Sequence, residues 1–466
     1  MTKLAKRSNI IPWVVACALF METLDTTIIS TSIPKMAYFF NVNPISLKLA
    51  MTSYLLSLAV FVPISGWIAE KYGVKKVFIF SFIVFTLSSA LCGLSHNIAE
   101  LVLFRIFQGF GGAIMMPVGR LILLKLYPRS DLIRVTNYAT IPALFGPMVG
   151  PLAGGAISTY SDWQWIFLVN VPVGILGVIL AVKFIPVIAS KQVKRFDTKG
   201  FILFGIGLAG MSIVLSTVHE SALSLNNRLI ILATAIVSLI LYAISYKKSN
   251  NPVWNLEIFN IRTFRVTVAG SLVSRIGIGG IPFLLPLLFQ MGFNYSPIVS
   301  GGLVFPTAIA MFITKFFVKK ILKLFGFKSV LVANTILLGL SICSFAFIHN
   351  TTSYYLIITL VFLNGAFSSM QFSCMNVLSY VDLDENNLSQ GTSIASSIQQ
   401  LSMSFGIAFS SIWLRLFLSH YPLHSFSTIA FSYSFWVIGI STILTSWIFS
   451  NLKAQDGITA SGYKEK

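Results

Sequence analysis

The sequence predicts an all-α polytopic membrane protein: fourteen transmembrane helices arranged as two six-helix bundles with an inserted pair between them. Three observations carry that prediction. The 466 residues are 56% hydrophobic and 10% charged, where a soluble domain carries about 25% charged residues to cover its surface. The apolar residues fall in blocks of about 20, the length a helix needs to cross a hydrocarbon core. The basic residues gather in the short connectors between blocks, the pattern that sets topology in a bilayer.

The blocks run over 11–33, 47–69, 76–96, 100–125, 134–159, 163–186, 198–218, 228–246, 265–290, 297–318, 327–348, 353–380, 388–417 and 427–450. An even number of spans puts both termini on one side. With that side cytoplasmic, 26 of the 33 Lys and Arg residues fall in cytoplasmic segments. Four (Lys35, Lys48, Arg228, Arg415) face the other way, and three (Arg105, Arg120, Arg275) lie within spans. This asymmetry predicts a bacterial inner-membrane protein with both termini in the cytoplasm. Lys3, Lys6 and Arg7 precede a first block that is too long for a signal peptide and lacks a small-residue cleavage site, so that helix is expected to remain as an anchor. The net charge of +19 is thereby explained as topogenic, and nucleic acid is not an expected partner.

The longest internal connectors, near 187–197 and 247–264, bracket two helices with almost no polar residue in their spans. The predicted organisation is an N-terminal six-helix bundle over 1–190, an inserted helix pair with cytoplasmic connectors over 191–263, a C-terminal six-helix bundle over 264–452 and a cytoplasmic tail over 453–466. Two bundles of this kind face each other across a cavity. No cofactor or metal is expected. Cys17, Cys92, Cys343 and Cys374 lie inside apolar blocks without metal-ligand spacing. The five histidines (His96, His219, His349, His420, His424) fall at span ends away from the termini. His420 and His424, four apart, lack a third ligand, so wetted loop residues are the better reading than a metal pair.

Ionisable groups inside spans each need a reason. Glu22 and Asp25, in "METLDTTIISTSIP", are three residues apart and project from one helix face. A charge at such depth costs about 2.5 kcal/mol or more unless it is protonated, paired or wet. Burial and a like-charged neighbour are the circumstances in which a carboxyl keeps its proton longest, so the pair is a candidate proton carrier and site for a positive substrate. The competing reading is a structural ion pair with Arg105 or Arg275. Arg105 opens "RIFQGFGGAIMMP", where Gly109, Gly111 and Gly112 permit close helix approach and Gln108 can hydrogen-bond across the bundle. A permanent guanidinium beside a titratable carboxyl biases when that carboxyl binds a proton. Arg275, in "SRIGIGGIPFLLPLLFQ", is the second-half counterpart. Arg120 lies nearer a span end, where snorkelling accounts for it.

The segment "GPMVGPLAGG" places Gly146, Gly150 and Gly154 every fourth residue on one side of the fifth helix, a stripe that lets a neighbouring backbone come close. Gly155 extends it. Pro147 and Pro151 remove main-chain hydrogen bonds, which is tolerated where other groups re-satisfy the carbonyls. The expectation is a tightly packed, flexible joint that blocks proton leak. Between the second and third spans lies "GWIAEKYGVKK". Gly66 is expected to end a closely packed helix, Glu70 to meet a cation or helix N-terminus, and Gly73 to allow a tight reversal. Lys71, Lys75 and Lys76 hold this loop in the cytoplasm, and the whole is expected to act as a conformational latch.

These pieces, with "LDTTIISTSIP" (24–34), "WQWIFLVNVPVG" (163–174), "RIGIGGIPFLLPLLFQMGFNYSPIVSGGLVFP" (275–306) and "QQLSMSFGIA" (399–408), make a chain that resembles the fourteen-span drug:proton antiporter branch of the major facilitator superfamily. The likeness covers nearly the whole chain, and the fifth-span segment is its most specific part. The resemblance implies the major facilitator fold, coupling through Asp25 assisted by Arg105, an antiporter motif over Gly146 to Gly155, and a gating loop at Gly66, Glu70, Lys71 and Gly73. The chain departs from the family pattern at Glu70 and Lys71, where Asp and Arg are usual, at Val74, where a basic residue is usual, and at Gln164, where Arg is common. The second-half loop "KKILKLFGFKS" keeps Gly326 but lacks an acid.

The expected function is proton-coupled export of small organic compounds such as drugs or toxic amphiphiles, with alternating access exposing Glu22 and Asp25 to each side. The implied partners are a small-molecule substrate, protons and the lipid bilayer; nothing in the pattern sets an oligomeric state. An ion gradient must drive transport, because no G-x-x-x-x-G-K-[ST] phosphate loop occurs. No nucleophile–base–orienter set suggests an enzyme. Two alternatives stay open: an exporter of an anionic metabolite such as a polycarboxylate or siderophore, drawn by Arg105, Arg120 and Arg275, and a transport-inactive sensor, against which the first-span carboxylates count.

Overall fold

A computed structural model describes residues 3–127, 131–187, 196–218, 223–249, 252–420 and 426–461. Among these residues there are no strands, and thirteen helical stretches are long and apolar enough to cross a membrane. One of them, Pro297–Phe347, has 51 residues. As a single rod it would run about 76 Å, far beyond the ~30 Å hydrocarbon core. Gly326 interrupts it at φ 70°. Its two arms then lie against one helix, Thr307 abutting Gly365 while Ser341 accepts a hydrogen bond from the adjacent Asn364 at 2.9 Å. The stretch is a hairpin of two spans, and the total is fourteen.

The spans are α1 (Ile10–Thr31), α2 (Pro44–Tyr72), α3 (Val74–Gly93), α4 (Ile98–Leu126), α5 (Arg134–Tyr160), α6 (Trp165–Phe184), α7 (Thr198–Thr217), α8 (Leu225–Lys248), α9 (Arg262–Gly292), α10 (297–325), α11 (327–347), α12 (Tyr354–Leu378), α13 (Gln390–Leu418) and α14 (Thr428–Ser450). Fourteen crossings return the chain to the face it started from, here called the terminal face; the opposite one is the far face. Local chemistry marks the element ends. Asn97 caps α4 by accepting from the Glu100 N–H at 2.9 Å, while Glu100 accepts from the His96 N–H at 2.9 Å, two orphan donors satisfied reciprocally. Asp197 and Ser224 cap α7 and α8 by accepting from the Gly200 and Asn227 N–H groups. Gly73, at φ 91°, reverses the chain between α2 and α3, a backbone region that costs glycine alone little. Gly326 does the same between α10 and α11, so the second-half loop keeps the turn although it lost the acid.

α7 packs against α2, with Ser216 donating to Thr52 at 3.4 Å, and against α8. A buried link between Tyr242 and Trp254 ties the pair's second connector: the phenol donates to the Trp254 carbonyl at 2.9 Å and accepts from its N–H at 2.7 Å. The spans of one half meet those of the other at the far face. Gly155 abuts Pro297, Gly301 abuts Pro151, the Ile298 N–H donates to Thr159 at 3.1 Å, and Gln290 donates to the Thr31 carbonyl at 2.9 Å.

Lys48, counted on the far face by the sequence, does open the helix Lys48–Tyr72 there and is fully buried. One expectation needs correction. Gly66 does not end a closely packed helix: α2 continues to Tyr72, Gly66 is exposed, and a Cβ there would meet nothing within 4 Å. Its loss of a side chain serves no contact in this conformation. His219 and His424, part of the connector at 187–197 and the tail's last residues, Gly462–Lys466, lie outside the described residues. His96, His349 and His420 sit in far-face connectors.

Candidate functional site

α1 carries the only two carboxylates that lie inside spans away from helix ends, Glu22 and Asp25. At 1.5 Å per residue they stand about 18 and 22 Å from the terminal-face end of α1. The glycines of helix α4 let two neighbouring helices close on it. A Cβ at Gly109 would lie 2.7 Å from the Tyr54 carbonyl and one at Gly112 3.2 Å from the Tyr54 hydroxyl, so these two admit α2. Gly111 admits α3, its Cβ position 2.8 Å from the Phe85 nitrogen. The wedge sets Arg105 and Gln108 against Asp25.

The result is a closed polar cluster. Arg105 Nη1 pairs with Asp25 Oδ2, and Gln108 Nε2 donates to Asp25 Oδ1 at 2.8 Å. Asn170 of α6 donates to the same oxygen at 3.2 Å. Arg105 also donates to Gln108 Oε1 at 2.7 Å and to the Ala50 carbonyl at 3.0 Å, and its guanidinium lies 4.2 Å from the Tyr54 ring centre. Asn170 donates further to Ser89 at 3.2 Å, and Cys92 to Gln108 at 3.7 Å. Asp25 is 0% exposed and Arg105 1%, so the pair is sealed from water. A buried pair holds only with such supporting bonds, since desolvation otherwise outweighs the attraction.

Glu22 sits differently. It is 4% exposed, and its Oε2 has no hydrogen-bond partner among the described residues. The charge within reach is Arg120 of α4, whose side chain is exposed. Arg120 is exposed, as a snorkelling base is, and lies within electrostatic range of Glu22 and of Tyr380 beyond α12. Arg275 is not in the cluster. It is 2% exposed and bonds to Ser271 at 2.7 Å and Asn376 at 2.9 Å, with Phe372 stacked 4.5 Å away. The open question of which arginine pairs Asp25 is answered by Arg105.

The fifth-span glycines face α1 beside the carboxylates. Gly146 abuts Thr23 and Leu24, Gly150 abuts Thr27, and Gly154 abuts Ile28 and Thr31. Pro147 deprives the Ala143 carbonyl of its intrahelical donor, and Thr23 replaces it at 2.8 Å. Thr31 donates to the Pro151 carbonyl at 3.2 Å. Gly155 points the other way, onto α10, so the segment clamps two helices rather than one. In the loop at 66–76, Lys75 donates to the Val182 carbonyl of α6 at 2.8 Å and Lys71 lies 4.5 Å from the Trp67 ring. Glu70 is half-buried and Lys76 exposed.

Sequence reasoning missed Asn170, Tyr54 and Asn376. Asn170 stands inside the quoted segment "WQWIFLVNVPVG" as the polar residue of an apolar span; a search for neutral amides at span depth would have found it.

The family profile of the Major Facilitator Superfamily matches residues 15–407. The chain is 38% identical over 446 residues, 94% of each protein, to proteins named as multidrug resistance protein MdtD in Escherichia coli O139:H28 and in Shigella boydii serotype 18. Among solved structures it is similar to a D-xylose–proton symporter (TM-score 0.68, 15% identity, 96% of this chain and 98% of that one). It is equally similar to a peptide transporter (TM-score 0.68, 13% identity, 94% and 93%). At those identities the structures support the fold alone.

Proposed function

The chain belongs to the Major Facilitator Superfamily, and from that premise we propose that it exports small organic compounds across the bacterial inner membrane in exchange for protons. It is a multi-pass membrane transporter, not an enzyme. In this reading the bundles 1–190 and 264–452 rock about the site, the pair 191–263 lies beside them, the terminal face is cytoplasmic, and the tail 453–466 is cytoplasmic too. The compounds are drugs or toxic amphiphiles, in keeping with the name of the relatives.

One observation carries the proposal: a sealed Asp25–Arg105 pair three residues from a buried carboxylate with an unpartnered oxygen. A bare carboxylate at this depth costs several kcal/mol, so Glu22 favours a proton or a cationic group of the cargo in its place. Protonation of Asp25 would cancel its charge and leave Arg105 held by Gln108, Ala50 and the Tyr54 ring. That loosens α1 from α4, which is how proton binding reaches the helices. The far-face clamp of Gly154 and Gly155 keeps the site from opening both ways at once, and the 66–76 loop, reversed at Gly73 and tied to α6 by Lys75, serves as the gate on the terminal face.

Reconstituted protein under an imposed pH gradient, with a pH-sensitive dye inside the vesicles, tests this. Cargo should accelerate proton movement in wild type and not in Asp25→Asn. Full coupling in that variant removes Asp25 from the mechanism.

A further inference from the structure

Arg275 is a permanent charge without a counter-charge among the described residues. It is 2% exposed, and its hydrogen bonds go to neutral groups, Ser271 Oγ and Asn376 Oδ1. Between residues 264 and 452 the sequence contains only three acids, Asp382, Asp384 and Glu385, all in the connector before α13. Asp382 is engaged by Thr263 at 2.7 Å, and Asp384 caps the helix that follows. Within spans, Asp25 is taken by Arg105 and Glu22 stands on α1 beside Arg120. Tyr380 lies within electrostatic reach of Arg275 and of Arg120. Burial pushes its phenol above the ordinary value, against the pull of both arginines, so it is un-ionised at neutral pH and supplies no negative charge.

The site is nonetheless built. Among the described residues only two of the five guanidinium N–H donors are used, and Nη1 makes no hydrogen bond. Phe372 stacks on the guanidinium plane at 4.5 Å and fixes it. Facing a guanidinium, Asn376 must present its oxygen, which turns its own NH2 donors outward, and the Asn376 side chain is exposed. Unspent donors on a desolvated guanidinium recognise carboxylate, sulfonate and phosphate groups. A buried cation among neutral partners is costly, and an anion that arrives from outside relieves it.

We propose that Arg275 and Asn376 form an anion-binding subsite, and that the exported compounds carry a carboxylate, sulfonate or comparable acidic group. The substrate class rests on the export reading; the subsite itself does not. With Glu22 available for a basic group, zwitterionic amphiphiles satisfy both ends.

Purified full-length protein in detergent, without any pH gradient, tests the subsite. The probes are benzenesulfonate and the matched cation benzyltrimethylammonium, read by calorimetry and by the shift in Tm. Benzenesulfonate should bind wild type and raise its Tm. Its affinity should fall at least tenfold in Arg275→Gln and severalfold in Asn376→Ala. Arg275→Lys, which keeps the charge but not the fork, should fall between, and it guards against an ill-folded glutamine variant. Benzenesulfonate that leaves wild type unshifted at millimolar concentration, or binds Arg275→Gln as well as wild type, overturns the subsite. Asp25→Asn separates the two ideas: it should keep Arg275-dependent anion binding while losing proton coupling. Coupling that survives in Asp25→Asn strikes the export mechanism and leaves the subsite standing.

Discussion

Glu22 and Asp25 share a helix face yet differ in what surrounds them. Asp25 has both oxygens engaged, by Arg105, Gln108 and Asn170; Glu22 keeps an oxygen open. We therefore propose Asp25 as the switch and Glu22 as the exchange site. Arg105→Ala strands a buried carboxylate, and removal of one partner from a buried pair costs about 3–5 kcal/mol. The expected result is a large fall in Tm and poor yield, and a variant that melts with wild type would show the pair to be idle. Glu22→Gln should melt near wild type, because no bond is lost, and should still fail to couple. That both acids and Arg105 lie at span depth was legible in the sequence, where such charges are rare and costly. Which arginine pairs with Asp25 was not, because it depends on helix neighbours: α4 lies against α1, while Arg275 stands on α9 with Asn376. Asn170 escaped notice because an amide carries no charge.

Among the elements, α5 shows how a spacing becomes a contact. The four-residue period of Gly146, Gly150 and Gly154 predicted a close helix neighbour, and the neighbour is α1 itself, next to the carboxylates. Overpacking a tight contact costs about 1–3 kcal/mol or more, so Gly150→Leu, whose Cβ would strike Thr27, should lower Tm and abolish transport. Gly66→Ala meets only open space and should melt within about 0.5 kcal/mol of wild type, as surface changes do. Equal damage from the two would break the link between stripe and packing. Thr23→Val removes the donor that serves the Ala143 carbonyl and should cost about 1 kcal/mol. The periodicity could not foretell that Gly155 turns to α10, since that contact belongs to the other half of the chain, nor that Gly66 is slack, since a glycine alone does not say whether anything stands opposite.

At the scale of the whole molecule, span count and charge asymmetry were readable because the bilayer imposes both. The hairpin at Gly326 fits the predicted boundary between the tenth and eleventh spans. The halves touch at the far face through Gly155, Gly301 and Gln290, a seam no local pattern contains. With the terminal face in the cytoplasm, a membrane-impermeant amine reagent should label Lys71 and Lys76 in inside-out vesicles and spare them in right-side-out ones; the reverse would invert the transport direction.

The central claim is that cargo and proton compete for one buried acid. Proton release on cargo binding, followed by a pH indicator with weakly buffered protein in detergent, measures that competition without any membrane. Wild type should release protons in proportion to cargo bound, and Glu22→Gln should bind with little or no release. Saturating cargo binding to wild type with no change in free proton would contradict the account.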